Sequence, residues 1–322
     1  MIRRIFSLTL VLTIACFFSG CGVGERGSVN SEVEEVRLQL VATTYPIYLL
    51  ASSVTQGVEG IVVERLNTGE SSCLHDYTLS VDDMKKIEGA DIIVLNGAGL
   101  EDFMDDALSA TQAKAIDCSA GVTLLENLTH DHAEGDEDGH DHGHWDPHYW
   151  MDPSNAVIMA ENLATGLVEA DPDNRQIYEE NMLKTTTFLN LWDSRLHDLL
   201  SWDEGPEITG LVTFHDGFQY FAKAFDLPLL AAIEEEAGSE ASAKEIQEIT
   251  ALVKEYNLPI IFTEVNGSDA TAKAIARETG CAVGQLTMLM DGVEDGDLQH
   301  YYEGLQENVA AIVNGFAGEE IQ

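Results

Sequence analysis

The sequence predicts an α/β protein built as two parallel-sheet lobes joined by one long rigid helix, and three observations carry that expectation. Short apolar runs alternate with amphipathic stretches along most of the chain, the pattern of strand and crossover helix that produces parallel sheets. The alternation is interrupted once, across residues 173–200, by a segment without Gly or Pro in which Ile177, Leu183, Phe188, Leu191, Leu196 and Leu199 recur at helical spacing. The 322 residues, less a leader-like N-terminus, suffice for two domains of ordinary size.

In the first half the apolar runs place strands at 38–42, 61–66, 91–95 and 114–117. Helices are expected at 46–56, where Pro46 suits the first turn; at 81–88, behind the cap-like Ser80-x-x-Asp83; at 100–110; and at 154–169. The uninterrupted 173–200 segment then reads as a rod of roughly 42 Å at 1.5 Å per residue, long enough to span both lobes. In the second half strands are expected at 208–214, 229–233, 259–263 and 282–286. Their helices fall at 217–224, 243–255 behind the capping box Ser242-x-x-Glu245, 270–279 and 297–313.

The first residues set the compartment. Arg3 and Arg4 precede an apolar stretch, 5–18, and the small-residue site Ser19-Gly20-Cys21, the layout of a secretory signal. The stretch falls short of the roughly 20 apolar residues of a membrane span. Its ending, Phe-Ser-Gly-Cys, resembles a bacterial lipoprotein signal, which makes Cys21 the expected lipidation site. The expected organisation is a signal peptide (1–20), a lipidated tether (21–36), an N-terminal lobe (37–170), a linking helix (171–203) and a C-terminal lobe (204–322). That places the chain outside the cytoplasm, anchored to the cell membrane or periplasmic. Of the remaining cysteines, Cys73, Cys118 and Cys281, the first two lie in the same half and are the expected disulfide pair, with connectivity left open. A net charge of −41 argues against nucleic acid and anionic lipid headgroups as partners and favours cations.

Residues 130–148 read HDHAEGDEDGHDHGHWDPH and hold six of the ten histidines. Imidazole suits Zn²⁺, Cu²⁺ and Ni²⁺, and a carboxylate can complete a coordination sphere or hold the second ring nitrogen of a ligating histidine. His130, His132, His140, His142 and His144 therefore read as a metal-collecting loop. Three further contexts stand out: His75 in SSCLHDYTLS, His148 in DPHYWMDP, and His215 in TFHDGF, straight after an expected strand. Carboxyl ends of parallel strands carry the sites of α/β folds. Each of the three is flanked by an aspartate, Asp76, Asp146 or Asp216, suited to orient a neutral imidazole. His197 and His300 read as surface or packing residues.

These segments carry a resemblance. CLHDYTLSVDDMKKIEGADIIVLNGAGLEDF (73–103), DPHYWMDPSNA (146–156), TFHDGFQYFAKAFDL (213–227) and IIFTEVNGSDATAKAIARETG (260–280) are similar, in order, to the zinc/manganese-type (cluster A-I, or cluster 9) substrate-binding lipoproteins of bacterial metal ABC transporters. The resemblance implies a metal held in the cleft between two lobes and passed to a membrane permease; with no nucleotide-binding or catalytic motif in this chain, the ATPase is expected in a partner subunit and no enzyme activity here, and a monomer is expected with the oligomeric state left open. It implies His75, His148 and His215 as ligands. Manganese-type members usually carry Glu at the third position, so three imidazoles favour Zn²⁺, although a nitrogen-rich site also accommodates Cu²⁺ or Ni²⁺. Where many members supply an Asp after the last strand, this chain reads GQLTMLMDG, with Thr287 or Met288 at the expected position. Asp291, a water, a loop histidine or the Met288 thioether are the candidates for the fourth place, and Cys73 adds one if reduced. Two other classes are weighed: a secreted zinc enzyme, against which stands the absence of HExxH, Gly-x-Ser-x-Gly or any evident general base; and an adhesion protein, which leaves the histidines unexplained.

Overall fold

The computed structural model describes residues 36–67, 74, 77–128, 145–201, 205–234, 242–265 and 267–318. The signal segment, Cys21 and its tether, Cys73, His75, Asp76 and the loop histidines His130, His132, His140, His142 and His144 lie outside the described residues. Among the described residues no helix is long and apolar enough to cross a membrane.

The first lobe alternates as expected: β1 (Leu38–Ala42), α1 (Tyr45–Val54), β2 (Ile61–Arg65), α2 (Val81–Gly89), β3 (Ile92–Leu95), α3 (Asp105–Ala110) and β4 (Lys114–Asp117). Its four strands form a parallel sheet ordered β2-β1-β3-β4. The Ser80 box is made in both directions with Asp83, and Thr44 caps α1 ahead of Pro46. A two-stranded antiparallel ribbon, β5 (Leu125–Glu126) with β6 (Trp145–Asp146), follows. A 3₁₀ turn at Tyr149–Met151 leads into α4 (Pro153–Ala170), capped by Asp152. The second lobe comprises β7 (Leu211–His215), α6 (Gln219–Ala224), β8 (Leu229–Glu234), α7 (Ala243–Glu255), β9 (Ile260–Glu264), α8 (Ala270–Thr279), β10 (Ala282–Leu286) and α9 (Leu298–Ala317). Its strands are again parallel, ordered β10-β9-β7-β8.

Both strand orders contain a reversal. The chain leaves β1 to one side for β2 and to the other for β3; it leaves β7 to one side for β8 and to the other for β9. A crevice forms outside the carboxyl ends of the strands where such a reversal occurs. Here those ends are Ala42 and Leu95 in the first sheet, His215 and Glu264 in the second.

The linking helix, α5 (Arg175–Leu200), runs 26 residues, about 39 Å. Its buried face matches the expected one in part: Leu196 is buried and Ile177 and Phe188 pack against the core. Tyr178, Asn181, Thr185, Thr186, Leu189 and Leu196 are buried, whereas Leu183, Leu191 and Leu199 face solvent. Polar side chains are accommodated inside because they are bonded: Asn181 Nδ2 donates to the carbonyls of Val54 (3.1 Å) and Gln56 (2.8 Å), and Thr185 shares a 2.7 Å hydrogen bond with Ser53. A continuous core runs from the first sheet through α1, α4, α5 and α9 to the second sheet. Two smaller clusters lie on the outer faces, one between the first sheet, α2 and α3, the other between the second sheet, α7 and α8. Of the expected Cys73–Cys118 pair, Cys73 lies outside the described residues, and Cys118 is a free, fully buried thiol whose pKa burial raises far above the ordinary range.

Asp171, in the turn before α5, ties the start of β1 to the helical layer. It accepts from Arg37 Nη1 (3.0 Å) and Nη2 (2.8 Å), Asn174 Nδ2 (2.9 Å) and the Tyr178 hydroxyl (2.7 Å). The Arg37 bonds, ahead of those from Asn174 and Tyr178, hold its carboxyl down at about 2. A carboxyl depressed in the folded state stabilises above its unfolded value, near pH 4, and that contribution is lost as pH falls through about 2. With Arg37 half exposed, the contribution is about 1–2 kcal/mol. Asp171→Asn is therefore less stable than the parent at pH 6, and the two urea midpoints converge towards pH 2. A gap unchanged over that range refutes the assignment.

Candidate metal centre

Asp146 is placed by the ribbon. Its carbonyl accepts from the Tyr220 hydroxyl (2.9 Å), which in turn accepts from Leu125 N–H (2.8 Å), and its Oδ2 accepts from Gln219 Nε2 (3.1 Å). With Asp146 fixed from three directions, its Oδ1 meets both the His148 N–H (2.8 Å) and His148 Nδ1 (2.7 Å). The intervening Pro147 is anchored from the first sheet: Asn96, just past β3, donates its Nδ2 to the Pro147 carbonyl at 3.1 Å. Asn96 and Gly97 are held by Glu101, which accepts both their N–H groups (2.7 and 2.9 Å) and the Thr43 hydroxyl (2.6 Å). Burial pushes the Glu101 carboxyl up to about 7 against those three hydrogen bonds. The reversal point of the first sheet thus carries the His148 segment.

The reversal point of the second sheet carries the other half. His215 ends β7 and Glu264 ends β9, the strand beside it; both are buried, His215 to 1% exposure. Glu264 Oε1 stands 3.7 Å from His215 Nδ1. The two imidazoles meet at their opposite nitrogens: His148 Nε2 and His215 Nε2 are 3.2 Å apart, with ring centroids 4.9 Å apart and planes at 85°.

This arrangement has a coordination geometry written into it. For two nitrogens each 2.0–2.1 Å from a tetrahedral Zn²⁺, the N···N separation is about 3.3 Å. A carboxylate behind each Nδ1 favours the tautomer that leaves the Nε2 lone pair available. Two buried carboxylates also supply the negative charge that a divalent cation in this place requires. Among the described residues no group of three or more His, Cys, Asp and Glu side chains forms a metal-holding cluster.

The other expected site residues are distributed differently. Asp291 does not reach the pair: its carboxylate is 56% exposed and faces Arg65 Nη2 at 3.5 Å. Asp216 is not the brace of His215; its Oδ2 accepts from Leu128 N–H (2.8 Å), and the carboxylate facing Nδ1 is that of Glu264, which sequence reasoning passed over. The available signal was its position as the last residue of an apolar run beside the His215 strand. His197 lies on α5 against Phe225 and Asp193, and His300 caps α9 by accepting Asp297 N–H at its Nδ1 (3.1 Å).

The chain was compared with known proteins. The family described as "Zinc-uptake complex component A periplasmic" matches residues 40–315. Zinc-binding protein AdcA of Streptococcus pyogenes is 26% identical over 306 residues, covering 89% of this chain and 58% of that protein. This chain therefore spans little more than half the length of such relatives. Iron-binding protein YfeA of Yersinia pestis is 27% identical over 318 residues, covering 97% and 96% of the two chains. A crystal structure of ZnuA superposes with a TM-score of 0.72 at 26% identity, over 86% of this chain and 98% of that one. With the fold, the paired imidazoles at the two reversal points and a match across nearly the whole described chain in agreement, the protein belongs to the periplasmic zinc-uptake component A family.

Proposed function

We propose that this chain is an extracytoplasmic carrier that captures Zn²⁺ between its lobes and delivers it to an ABC-type importer, a permease with its ATPase subunit. The observation that carries the reading is the 3.2 Å approach of two buried Nε2 atoms, one from each lobe's side of the cleft, each backed by a carboxylate. His148 and His215 supply two ligands and His75 the third. Zn²⁺, with no ligand-field preference, accepts a tetrahedral set of neutral imidazoles; Mn²⁺ prefers oxygen donors. Asp146 and Glu264 orient the rings and balance the charge. The histidines of 130–144 act as weak collectors that raise the local metal concentration near the cleft. Cys21 carries the lipid anchor, and the carrier catalyses no reaction. Release follows when the lobes shift relative to one another on the permease, separating His148 from His215.

The AdcA relative, a zinc-binding protein, and the zinc-uptake family that the chain matches support zinc as cargo. The iron-binding relative aligns over nearly its full length, which makes another divalent metal the alternative. Calorimetric titration of the metal-stripped protein with Zn²⁺ and Mn²⁺ decides between them. One tight zinc site with manganese at least about a hundredfold weaker is expected from the donor set. Equal affinities, or loss of the tight site when residues 130–144 are deleted, sink the proposal.

A further inference from the structure

After the last strand the chain offers three side chains near the cleft, and they are turned to different uses. Asp291 faces Arg65 and solvent. Thr287 serves its own turn: its Oγ1 accepts Leu289 N–H (3.0 Å), while its N–H and carbonyl bond the Asn308 side chain at 2.7 and 2.8 Å. Met288 is 4% exposed, part of the continuous core, and shares with His215 the space beside Gly217. Gly217 reports how closely: a Cβ there would fall 2.6 Å from His215 Cδ2 and 3.1 Å from Met288 Sδ, with Met288 Cε nearer still. Cδ2 is bonded to Nε2, so the thioether and the ligand edge of the imidazole close on the same open glycine. The absence of a side chain at Gly217 is what admits the methionine.

Two further features hold it there. The Met288 carbonyl accepts Trp150 Nε1–H at 2.9 Å, and the Trp150 ring packs edge-on to His148 with centroids 5.2 Å apart. The next residue, Leu289, has φ +61°, a left-handed conformation that a non-glycine side chain adopts rarely. Strain of that kind persists where surrounding contacts over-determine it, and it concentrates at functional sites.

We propose that Met288 presents its thioether sulfur to the metal site, and that the chain therefore takes a soft monovalent d¹⁰ ion of the Cu(I) class in addition to Zn²⁺. This rests on the interlobe metal reading given above. A thioether is a neutral, soft donor; joined to imidazoles it raises affinity for Cu(I) far more than for Zn²⁺. The carboxylates Asp146 and Glu264 remain behind the imidazoles, so the direct donors are uncharged and the site tolerates a cation of charge one. The competing reading is that Met288 fills core volume, as buried methionines commonly do. Leucine then replaces it without any metal-specific effect.

The test compares the full-length protein with Met288→Leu, a volume-conserving change the fold tolerates. Each is prepared with accessible thiols alkylated, and again without residues 130–144 to remove the loop histidines. Cu(I) affinity is measured anaerobically by competition with bicinchoninate, Zn²⁺ affinity by calorimetry, and copper ligation by K-edge X-ray absorption. The expected result is a Cu(I) affinity lower by at least about tenfold in M288L, with Zn²⁺ changed by less than about threefold. A sulfur scattering shell should be present in the parent and absent from the variant. Equal Cu(I) affinities, or a parent spectrum without sulfur, overturn the role of Met288 while leaving zinc capture standing. A parent that binds Zn²⁺ only weakly overturns the capture reading itself.

Discussion

His215→Ala lowers zinc affinity by at least about a thousandfold, a loss near 4 kcal/mol. The magnitude follows from position. His215 ends β7 at a reversal point, almost inaccessible to solvent, with Nε2 aimed at His148 Nε2 across 3.2 Å. Removing the imidazole takes away one of the three proposed nitrogen donors and opens space beside the buried Glu264 carboxylate. Glu264→Gln is the informative comparison. It keeps an oxygen opposite His215 Nδ1 and removes the charge, and loss of an outer-shell partner costs roughly 10–100-fold. The expected order is therefore H215A weaker than E264Q, weaker than the parent, read by chelator competition on protein whose fold is checked by circular dichroism. Affinity in H215A within about tenfold of the parent would move the tight site to residues 130–144.

Much of this architecture was legible because local signals and tertiary environment agree. The apolar runs at 38–42, 114–117 and 282–286 became strands with those bounds, and both Ser-initiated capping boxes formed. What escaped notice involves residues whose role depends on neighbours distant in sequence. On α5, Thr185 and Asn181 point inward because Ser53 and the end of α1 lie opposite; apolar spacing finds Ile177, Phe188 and Leu196 against the core but also selects Leu183, Leu191 and Leu199, which are exposed. The ribbon of β5 and β6 contributes only two residues per strand, too few for any alternation to register. His148 and His215 stood out as histidines beside strand or proline signals. Glu264 did not, because its meaning arises only when β9 is laid beside β7. Asp216, adjacent in sequence to His215, looked the natural brace, but β7 ends at His215 and in the turn that follows the Asp216 carboxylate accepts from Leu128 N–H.

Zinc affinity should fall as the pH is lowered from about 7.5 to about 5, since an imidazole that has taken up a proton has no lone pair for the metal. The geometry shapes the course of that loss. With Nε2 atoms 3.2 Å apart, a single proton placed between them forms an N–H···N bond and occupies both lone pairs at once. The first proton would therefore occupy both proposed donors, with the Asp146 and Glu264 carboxylates placed to stabilise the resulting positive charge. A second proton would point two N–H groups at each other across that distance, so further acidification must drive the rings, and with them the two sides of the cleft, apart. The logarithm of apparent zinc affinity plotted against pH should thus first fall with a slope near one, where one proton is shared by the pair, and steepen at lower pH as further imidazoles charge. Over the same range the zinc-dependent rise in melting temperature should shrink to nothing, because a ligand stabilises only as far as it binds the folded state. A flat profile from pH 8 to 5 would mean that carboxylates rather than imidazoles hold the ion, and the pairing of His148 with His215 would then be only a packing contact.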